Sequence, residues 1–345
     1  MASAVHLSLP RELPPRPRLV STWLLAVFAL VLLIILVGGI TRLTESGLSI
    51  TRWEPVSGIL PPLGEAEWAA ELDRYRQSPE GQTVNRSISL AEYKTIYGWE
   101  YAHRLLGRLI GLAFIVPLAW FLWKRAIPPG FKTRLWVLLG LGALQGLVGW
   151  WMVASGLVYR PEVSHVRLAV HLLLAFAILG LLLWTALDLR RLPPARARMP
   201  TLAIWTLAAF AVQALFGAYV AGLEAGFAFP TWPSMGGELY PAAAPMLEPW
   251  PRNFVDNPIL VQFIHRWLAF GVAALAFLLA WAAWRRGARP EAVALALAVV
   301  AQIFLGILTL ASGVAIEIAA AHQLMAALLL SSILLAAHRL GRDAR

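Results

Sequence analysis

Long apolar runs alternate with short polar segments along most of the chain. Eight of the runs are close to the roughly 20 residues that a helix needs to cross about 30 Å of hydrocarbon. They lie near residues 20–40, 99–123, 133–154, 164–187, 201–222, 258–284, 291–312 and 318–338. The pattern therefore predicts an all-α, polytopic membrane protein with eight transmembrane helices.

The longest polar segment, residues 41–98, separates the first two predicted helices. An apolar repeat at helical spacing begins in it at Trp68. Further on, Ser89 and Glu92 form a capping-box pattern, which marks the start of a helix. We predict two short amphipathic helices here, lying on the outer surface and covering the bundle below.

Basic residues are concentrated on one side of the predicted helices. Both termini and the loops on their side hold 17 Lys and Arg against four acidic residues, whereas the opposite loops hold eight basic and 14 acidic residues. Because cytoplasmic loops are enriched in Lys and Arg, both termini are predicted to be cytoplasmic. The net charge of +10 is thus sorted by loop rather than gathered on one folded surface, which argues against nucleic-acid binding.

The composition limits the available chemistry. Hydrophobic residues make up 59% of the chain and charged residues 14%, and there is no cysteine. The sequence therefore excludes disulfides, thiolate-bound metals, iron–sulfur clusters and a cysteine nucleophile. Polar chemistry must come from histidine, carboxylates, hydroxyl groups or a bound cofactor.

The two halves of the chain resemble each other. The corresponding residues are Glu100 and Gln262, His103 and His265, Gln145 and Gln302, Gly149 and Gly306, and His171 and His322. Each half contains four predicted helices, so both halves enter the membrane from the same side. The repeat predicts two pseudo-symmetric four-helix bundles related by an axis along the membrane normal.

The repeat also suggests a division of the chain into domains. We predict a basic cytoplasmic segment at 1–19, a first bundle with the long outer loop at 20–187, a cytoplasmic linker at 188–200, a second bundle at 201–338 and a cytoplasmic tail at 339–345.

Four histidines share one depth in the predicted membrane. His103, His171, His265 and His322 each lie a few residues inside the start of an inward-running helix. Ionisable side chains at this depth are costly unless they face the bundle interior and find a partner, so these four are functional candidates. A zinc site needs three or four ligands around one atom, whereas the repeat supplies two in each half. Two histidines on facing helices are instead the arrangement that ligates a haem iron axially.

Charged side chains surround these histidines. Arg104, Arg108 and Arg266 are candidates to pair with haem propionates or to form ion pairs within the protein. Glu100 lies one turn before His103, while the second half has Gln262 at the equivalent position. A carboxylate can accept protons and orient water, whereas an amide cannot accept protons. We therefore expect the first half to hold the reacting molecule and the second half a permanently bound electron-transfer haem.

With these residues assembled, the chain resembles the haem A synthase family, in the form found in mitochondria and many Gram-negative bacteria. The resemblance covers residues 20 to 338 and is carried by GITRLTESGLS at 39–49, GILPP at 58–62 and WEYAHRLLGR at 99–108. It implies an oxidoreductase acting on a CH or CH2 group, in which the C8 methyl of haem O is hydroxylated successively to a formyl group with oxygen taken from water. Some Gram-positive relatives carry a cysteine pair in the first outer loop, and no such pair exists here.

The resemblance also implies roles for individual residues. His265 and His322 would ligate a resident haem b, His103 and His171 would flank the iron of the substrate haem, and Glu100 would be the acid–base residue.

The resemblance further implies a place in the cell and a set of partners. The place is the bacterial inner (plasma) membrane, in cytochrome oxidase assembly. Besides membrane lipid and the substrate haem O, the partners would be the protohaem farnesyltransferase that makes haem O and an electron acceptor that the sequence does not identify. A homo-oligomer is compatible with the sequence.

Two other functions remain open at the level of sequence. A di-haem b-type electron carrier linked to quinone would hold haem permanently at both histidine pairs. A transporter would use the pseudo-symmetry alone, but it requires a polar path across the bilayer, and the buried polar groups here cluster on one side of the midplane.

Overall fold

A computed structural model describes residues 15–52, 57–158, 161–191 and 193–342. Within these ranges the regular structure is helical and contains no strand. The α-helices of the described residues are α1 (Pro17–Leu43), α2 (Glu65–Arg76), α3 (Pro79–Thr83), α4 (Leu90–Trp123), α5 (Lys132–Ala154), α6 (His165–Leu189), α7 (Thr201–Gly222), α8 (Asn253–Asp256), α9 (Pro258–Arg285), α10 (Arg289–Ala311) and α11 (Ile316–Arg342).

Eight helices in the described part of the chain are long and apolar enough to cross a membrane: α1, α4, α5, α6, α7, α9, α10 and α11. The predicted all-α membrane fold is confirmed. Most of the predicted ends differ from the observed ones by no more than four residues. Of the predicted terminal segments, residues 1–14 and 343–345 lie outside the described ranges.

The start of α4 differs from the prediction. Sequence patterning places the beginning of the second span at residue 99 and a separate surface helix before it, whereas α4 runs without interruption from Leu90. The capping box is formed, since Oε2 of Glu92 accepts a hydrogen bond from the Ser89 N–H at 2.8 Å. No residue between this cap and the apolar run breaks the helix. The prediction of a separate second amphipathic helix was therefore wrong, and α4 extends beyond the bundle instead.

The other predicted surface helix is α2, which packs against this extension of α4. Tyr75 of α2 and Tyr93 of α4 are fully buried, with ring centroids 5.1 Å apart. Trp68 packs edge-on against Tyr97, with centroids 5.0 Å apart. The segment between α1 and α4 thus forms an aromatic-rich cap over one end of the bundle, which we call the outer end.

The membrane-length helices of each half pack in a ring. In the first half the neighbours are α1–α4, α4–α5, α5–α6 and α6–α1, and in the second half they are α7–α9, α9–α10, α10–α11 and α11–α7. The halves meet through α1–α11, α6–α7 and α6–α11. These pairings support the predicted repeat.

Large apolar side chains on the outward faces of the helices remain exposed. Trp205 and Leu297 are each 64% exposed, although the helices that carry them also contribute buried apolar residues to the core. Extensive exposed apolar surface on helices of this length is what contact with lipid requires.

Polar contacts hold the halves together at both ends. At the outer end, Arg42 donates to the Ala221 carbonyl at 2.9 Å and pairs with Glu224 at 3.1 Å. At the opposite, inner end, the fully buried carboxylate of Asp188 contacts Arg134 at 2.6 Å and His338 at 3.0 Å. The carboxylate also accepts a hydrogen bond from the backbone N–H of Ala197 at 2.9 Å.

Candidate functional site

The four candidate histidines lie near the outer end of the bundle, on α4, α6, α9 and α11. The four residues are partly buried. Each ring lies against a glycine of the preceding membrane-length helix, so close that an added methyl group would contact it. The distance from such a methyl carbon to the ring Cε1 would be 2.8 Å for Gly38 and His103, 3.0 Å for Gly149 and His171, 2.9 Å for Gly217 and His265, and 3.0 Å for Gly306 and His322.

The structure brings the histidines together in twos. His103 and His171 lie within electrostatic range of each other in the first half, and His265 and His322 do so in the second. Among the described residues, no three histidine, aspartate or glutamate side chains converge on one point as a metal-binding group. Two pairs of partly buried histidines fit the axial ligation of one haem in each half.

Three of the histidines also contact a glutamine. Nε2 of Gln145 lies 3.2 Å from Nδ1 of His171 and donates to the carbonyl of the same histidine at 3.1 Å. Nε2 of Gln213 makes the same two contacts with His265, at 3.1 and 2.9 Å. Nε2 of Gln302 lies 3.4 Å from Nε2 of His322.

Glu100 is buried one turn outward of His103, with 3% of its surface exposed. Its Oε2 accepts hydrogen bonds from the Ser49 hydroxyl and the Ile50 N–H, both at 2.7 Å. Its Oε1 lies 2.6 Å from Nη2 of Arg104. The carboxylate is therefore fixed between α4 and the segment that follows α1, in a position where it can orient a water molecule or accept a proton.

Arg104 extends back toward the outer cap. Its guanidinium donates to the carbonyls of Ile50 and Arg52, both at 3.0 Å. In a helix the Cα–Cβ bond tilts toward the N-terminus, which here is the outer end, and this directs the long side chain outward.

The second half repeats this arrangement with one change. Arg266 donates to the carbonyls of Phe229, at 2.5 Å, and Thr231, at 2.7 Å. By the repeat these residues correspond to Ile50 and Arg52 of the first half. Gln262, in the place of Glu100, donates to the Phe229 carbonyl at 3.2 Å. The arginine contacts with the loop are thus the same in both halves, while the carboxylate is present only in the first.

A cavity of about 450 Å³ lies between α4, α2 and residues 50–52 and 58–63, and neither His103 nor His171 lines it. Arg104 and Arg108 line it from α4, together with Tyr97 and Tyr101, and Arg74 lines it from α2. Glu67 and Glu71 also line the cavity, and Glu71 pairs with Arg52 and Arg74. Arg104 and Arg108 are thus the lining cations on α4 that could face an anionic group attached to a planar ring.

Sequence reasoning missed part of this site. Gly38, Gly217 and Gln213 were not singled out, although Gln213 and Gly217 have the same four-residue spacing as Gln145 and Gly149. A search for this spacing on every outward-running helix would have found Gln213 and Gly217 but not Gly38, which has Ile34 four residues before it. Ser49 gave no such signal, because its contact with Glu100 joins residues 51 positions apart.

Residues 21–334 of the chain match the sequence model of the cytochrome oxidase assembly protein family. The chain belongs to this family.

Similar proteins of this family share nearly the full length of the chain. The Heme A synthase of Rhizorhabdus wittichii is 52% identical over 342 residues, which are 97% of this chain and 98% of the relative. The Heme A synthase of Sphingopyxis alaskensis is 48% identical, over 95% of this chain and 94% of the relative. That of Rhodopseudomonas palustris is 48% identical, over 95% and 92%. The family resemblance inferred from the sequence is confirmed.

Proposed function

We propose that this protein is a haem A synthase, a membrane enzyme of haem A biosynthesis that acts on haem O. Similarity to relatives of that name over nearly the whole chain supports the activity. The finer proposal is that the enzyme oxidises the C8 methyl group to a formyl group. It would do so in the bacterial inner membrane, with both termini in the cytoplasm.

One observation decides which half we assign to the substrate haem and which to the resident haem. A buried carboxylate lies beside the first histidine pair, and the second pair has an amide in its place. We assign the substrate haem to the half that contains His103, His171 and Glu100. His265 and His322 would hold a resident haem b, which when bound supplies a one-electron relay to an acceptor outside the protein. Gln262 suits that half because an electron relay needs no proton acceptor.

The overall oxidation balances with water as the source of oxygen. Replacing one methyl hydrogen by a hydroxyl group releases two electrons and two protons and consumes one water molecule. A second such step gives a geminal diol, which loses water to become the formyl group. Glu100 is the buried carboxylate positioned to accept these protons, and its contacts with Ser49 and Ile50 hold it in place.

Of the three candidate arginines, one is assigned to the charged edge of the substrate and two to contacts within the protein. Arg104 is already engaged by Glu100 and two carbonyls, so it orients the carboxylate and the loop. Arg108 lines the cavity next to it and is the residue that we assign to a propionate. Arg266 holds the corresponding loop of the second half.

The function is tested by the pigments that the protein produces. Cells that make the protein together with the farnesyltransferase that forms haem O should contain haem A, identified by mass after extraction. Cells without that transferase should contain none. A di-haem electron carrier would leave the haem O of the first strain unconverted, and that result would refute the proposed function.

A further inference from the structure

The surroundings of His103 differ from those of the other three histidines. Gln145, Gln213 and Gln302 each stand four residues before the glycine that contacts a histidine ring. Residues four apart lie on the same face of a helix, one turn from each other. The residue four positions before Gly38 is Ile34.

At two of the three sites the glutamine links the histidine ring to the backbone of the same histidine, and at the third Gln302 contacts the ring alone. The amides of Gln145 and Gln213 each contact both Nδ1 and the backbone carbonyl of one histidine. A side chain that contacts both groups opposes rotation of the ring about its bond to Cβ. The ring is thereby held in one orientation before any ligand binds.

The same glutamines offer an acceptor to a ligated ring. A histidine that binds a metal through one ring nitrogen donates the N–H of the other nitrogen to a partner, and that partner orients the ring and strengthens the bond to the metal. Among the described residues, Oε1 of Gln145, Gln213 and Gln302 is buried and accepts no hydrogen bond. Nε2 rather than Oε1 faces the ring in each contact, so a reversal of the side-chain amide would present this oxygen to a ligated ring. At His265 the backbone carbonyl oxygen of Gln213 also lies 3.2 Å from Nδ1.

His103 has neither kind of support. Its Nδ1 is buried without a hydrogen-bond partner among the described residues; Nδ1 of His322 is in the same state, but that ring contacts Gln302 through Nε2. Ile34 offers only carbon atoms, and its Cδ1 lies next to Gly107, one turn below His103. The contact with Gly38 limits the space behind the ring but provides no hydrogen bond.

We propose that Gln145, Gln213 and Gln302 are positioning residues for His171, His265 and His322, and that Ile34 leaves His103 as the axial ligand that detaches. This inference rests on the proposed function. A substrate haem must arrive and a product haem must leave, whereas the resident haem must stay. Ile34 and Gln213 occupy equivalent positions in the repeat. The half with Ile34 would therefore exchange its haem, and the half with Gln213 would retain its haem.

The test measures carbon monoxide binding to the reduced, haem-loaded protein. A haem iron with two histidine ligands binds carbon monoxide only after one of them detaches. In the wild type, the substrate haem should bind carbon monoxide and the resident haem should not. Ile34→Gln should slow that binding about three- to tenfold, the effect of one hydrogen bond. Gln213→Met should make the resident haem reactive as well.

Ile34→Met is the matched control, because methionine resembles glutamine in length but forms no comparable hydrogen bond. It should leave the rate of carbon monoxide binding unchanged. Equal rates for Ile34→Gln, Ile34→Met and the wild type, or a resident haem that stays inert in Gln213→Met, would overturn the inference. If Ile34→Gln does not accumulate in the membrane, the result for Gln213→Met decides alone.

Extraction of the pigments separates this result from the proposed function. Haem O or haem A in the purified protein, together with unchanged carbon monoxide kinetics in the variants, would overturn the inference and leave the function standing. Protein that yields neither pigment would refute the function itself.

Discussion

Two side chains of nearly the same size occupy equivalent positions in the two halves. Glu100 accepts hydrogen bonds from Ser49 and Ile50, whereas Gln262 donates one to Phe229. The direction of the hydrogen bond is reversed because a carboxylate accepts only, while an amide also donates. A single residue therefore gives one half a buried proton acceptor and leaves the other without one.

At this scale we predict that Glu100→Gln keeps the resident haem but slows conversion of haem O at least about 100-fold, the usual effect of losing a general base. The glutamine oxygen can still accept from Ser49 and Ile50, so the local fold is retained. The measurement is the ratio of haem O to haem A in extracted pigment, together with the absorption spectrum of the resident haem. Glu65→Gln, at an exposed glutamate of α2, is the control. Normal haem A content in Glu100→Gln would remove Glu100 from the mechanism.

At the scale of elements, the recurring unit is a pair of neighbouring helices with a glycine on one and a histidine on the other. The glycine lets the imidazole approach the backbone of the neighbouring helix, as Gly217 does for His265. The unit occurs four times in the described residues.

We predict that Gly217→Ala weakens ligation of the resident haem. The added methyl carbon would lie 2.9 Å from Cε1 of His265, so the ring must shift. Alanine favours the helix more than glycine does, so helix stability is not reduced. The expected result is a loss of the low-spin bis-histidine spectrum in reduced protein. Gly271→Ala is the matched control on α9, where the methyl group would meet no atom within 4 Å. An unchanged spectrum in Gly217→Ala would contradict the role of this contact.

The outer cap contains a buried carboxylate of its own. Glu80 of α3 is 5% exposed, and its Oε2 accepts a hydrogen bond from the Tyr75 hydroxyl at 3.0 Å. Burial raises the pKa of Glu80 from 4.5 to about 8. The folded protein therefore holds a proton there that the unfolded chain releases above pH 4.5. This contribution to stability is complete below pH 4.5 and is lost as the pH rises to about 8.

We predict that Glu80→Gln abolishes this pH dependence. The difference in unfolding free energy between variant and wild type should shift in favour of the variant between pH 5 and pH 8, by up to about 1.4 kcal/mol for each pH unit. Thermal unfolding of the detergent-solubilised protein at several pH values measures the difference. Glu65→Gln should show no such trend. A difference that stays constant with pH would mean that Glu80 titrates normally in the folded protein.

At the scale of the whole molecule, the candidate functional groups lie near the outer end of the bundle. A cluster of polar contacts between helices lies at the inner end. The four histidines occupy the outer half of the bundle, while Asp188 joins α5, α6 and α11 to the segment before α7 at the inner end. A buried carboxylate with three partners fixes the register of the helices it connects. Stability and ligand binding are therefore open to separate tests.

We predict that Asp188→Asn lowers the free energy of unfolding by about 1–3 kcal/mol, because Arg134 loses its charged partner in a buried setting. The visible spectrum of bound haem should be unchanged below the melting temperature, since the substitution is far from the histidines along each helix. Asp73→Asn, at an exposed carboxylate, is the control for a change of charge. A haem spectrum that changes in Asp188→Asn would show that the two ends are coupled.

Sequence patterning identified the eight spans because each must present an apolar surface to lipid over a fixed length. It also identified the four histidines and the contrast between Glu100 and Gln262, because polar residues are rare within such spans. It did not identify Ser49 as a partner of Glu100, nor the extension of α4. The first depends on contacts between distant residues, and the second on whether a helix continues past an apolar boundary.

The sequence by itself thus determined how many helices are long and apolar enough to cross the membrane and which of their residues are candidates for the chemistry, because local composition and spacing decide both. Tertiary structure alone decided which glycine and which glutamine lie beside each histidine, and that Arg104 reaches outward to the cap. Those choices depend on how each helix is rotated against its neighbours, which no single segment encodes. The different surroundings of His103 depend on the packing of α1 against α4, which brings Gly38 and Ile34 to that side of the helix.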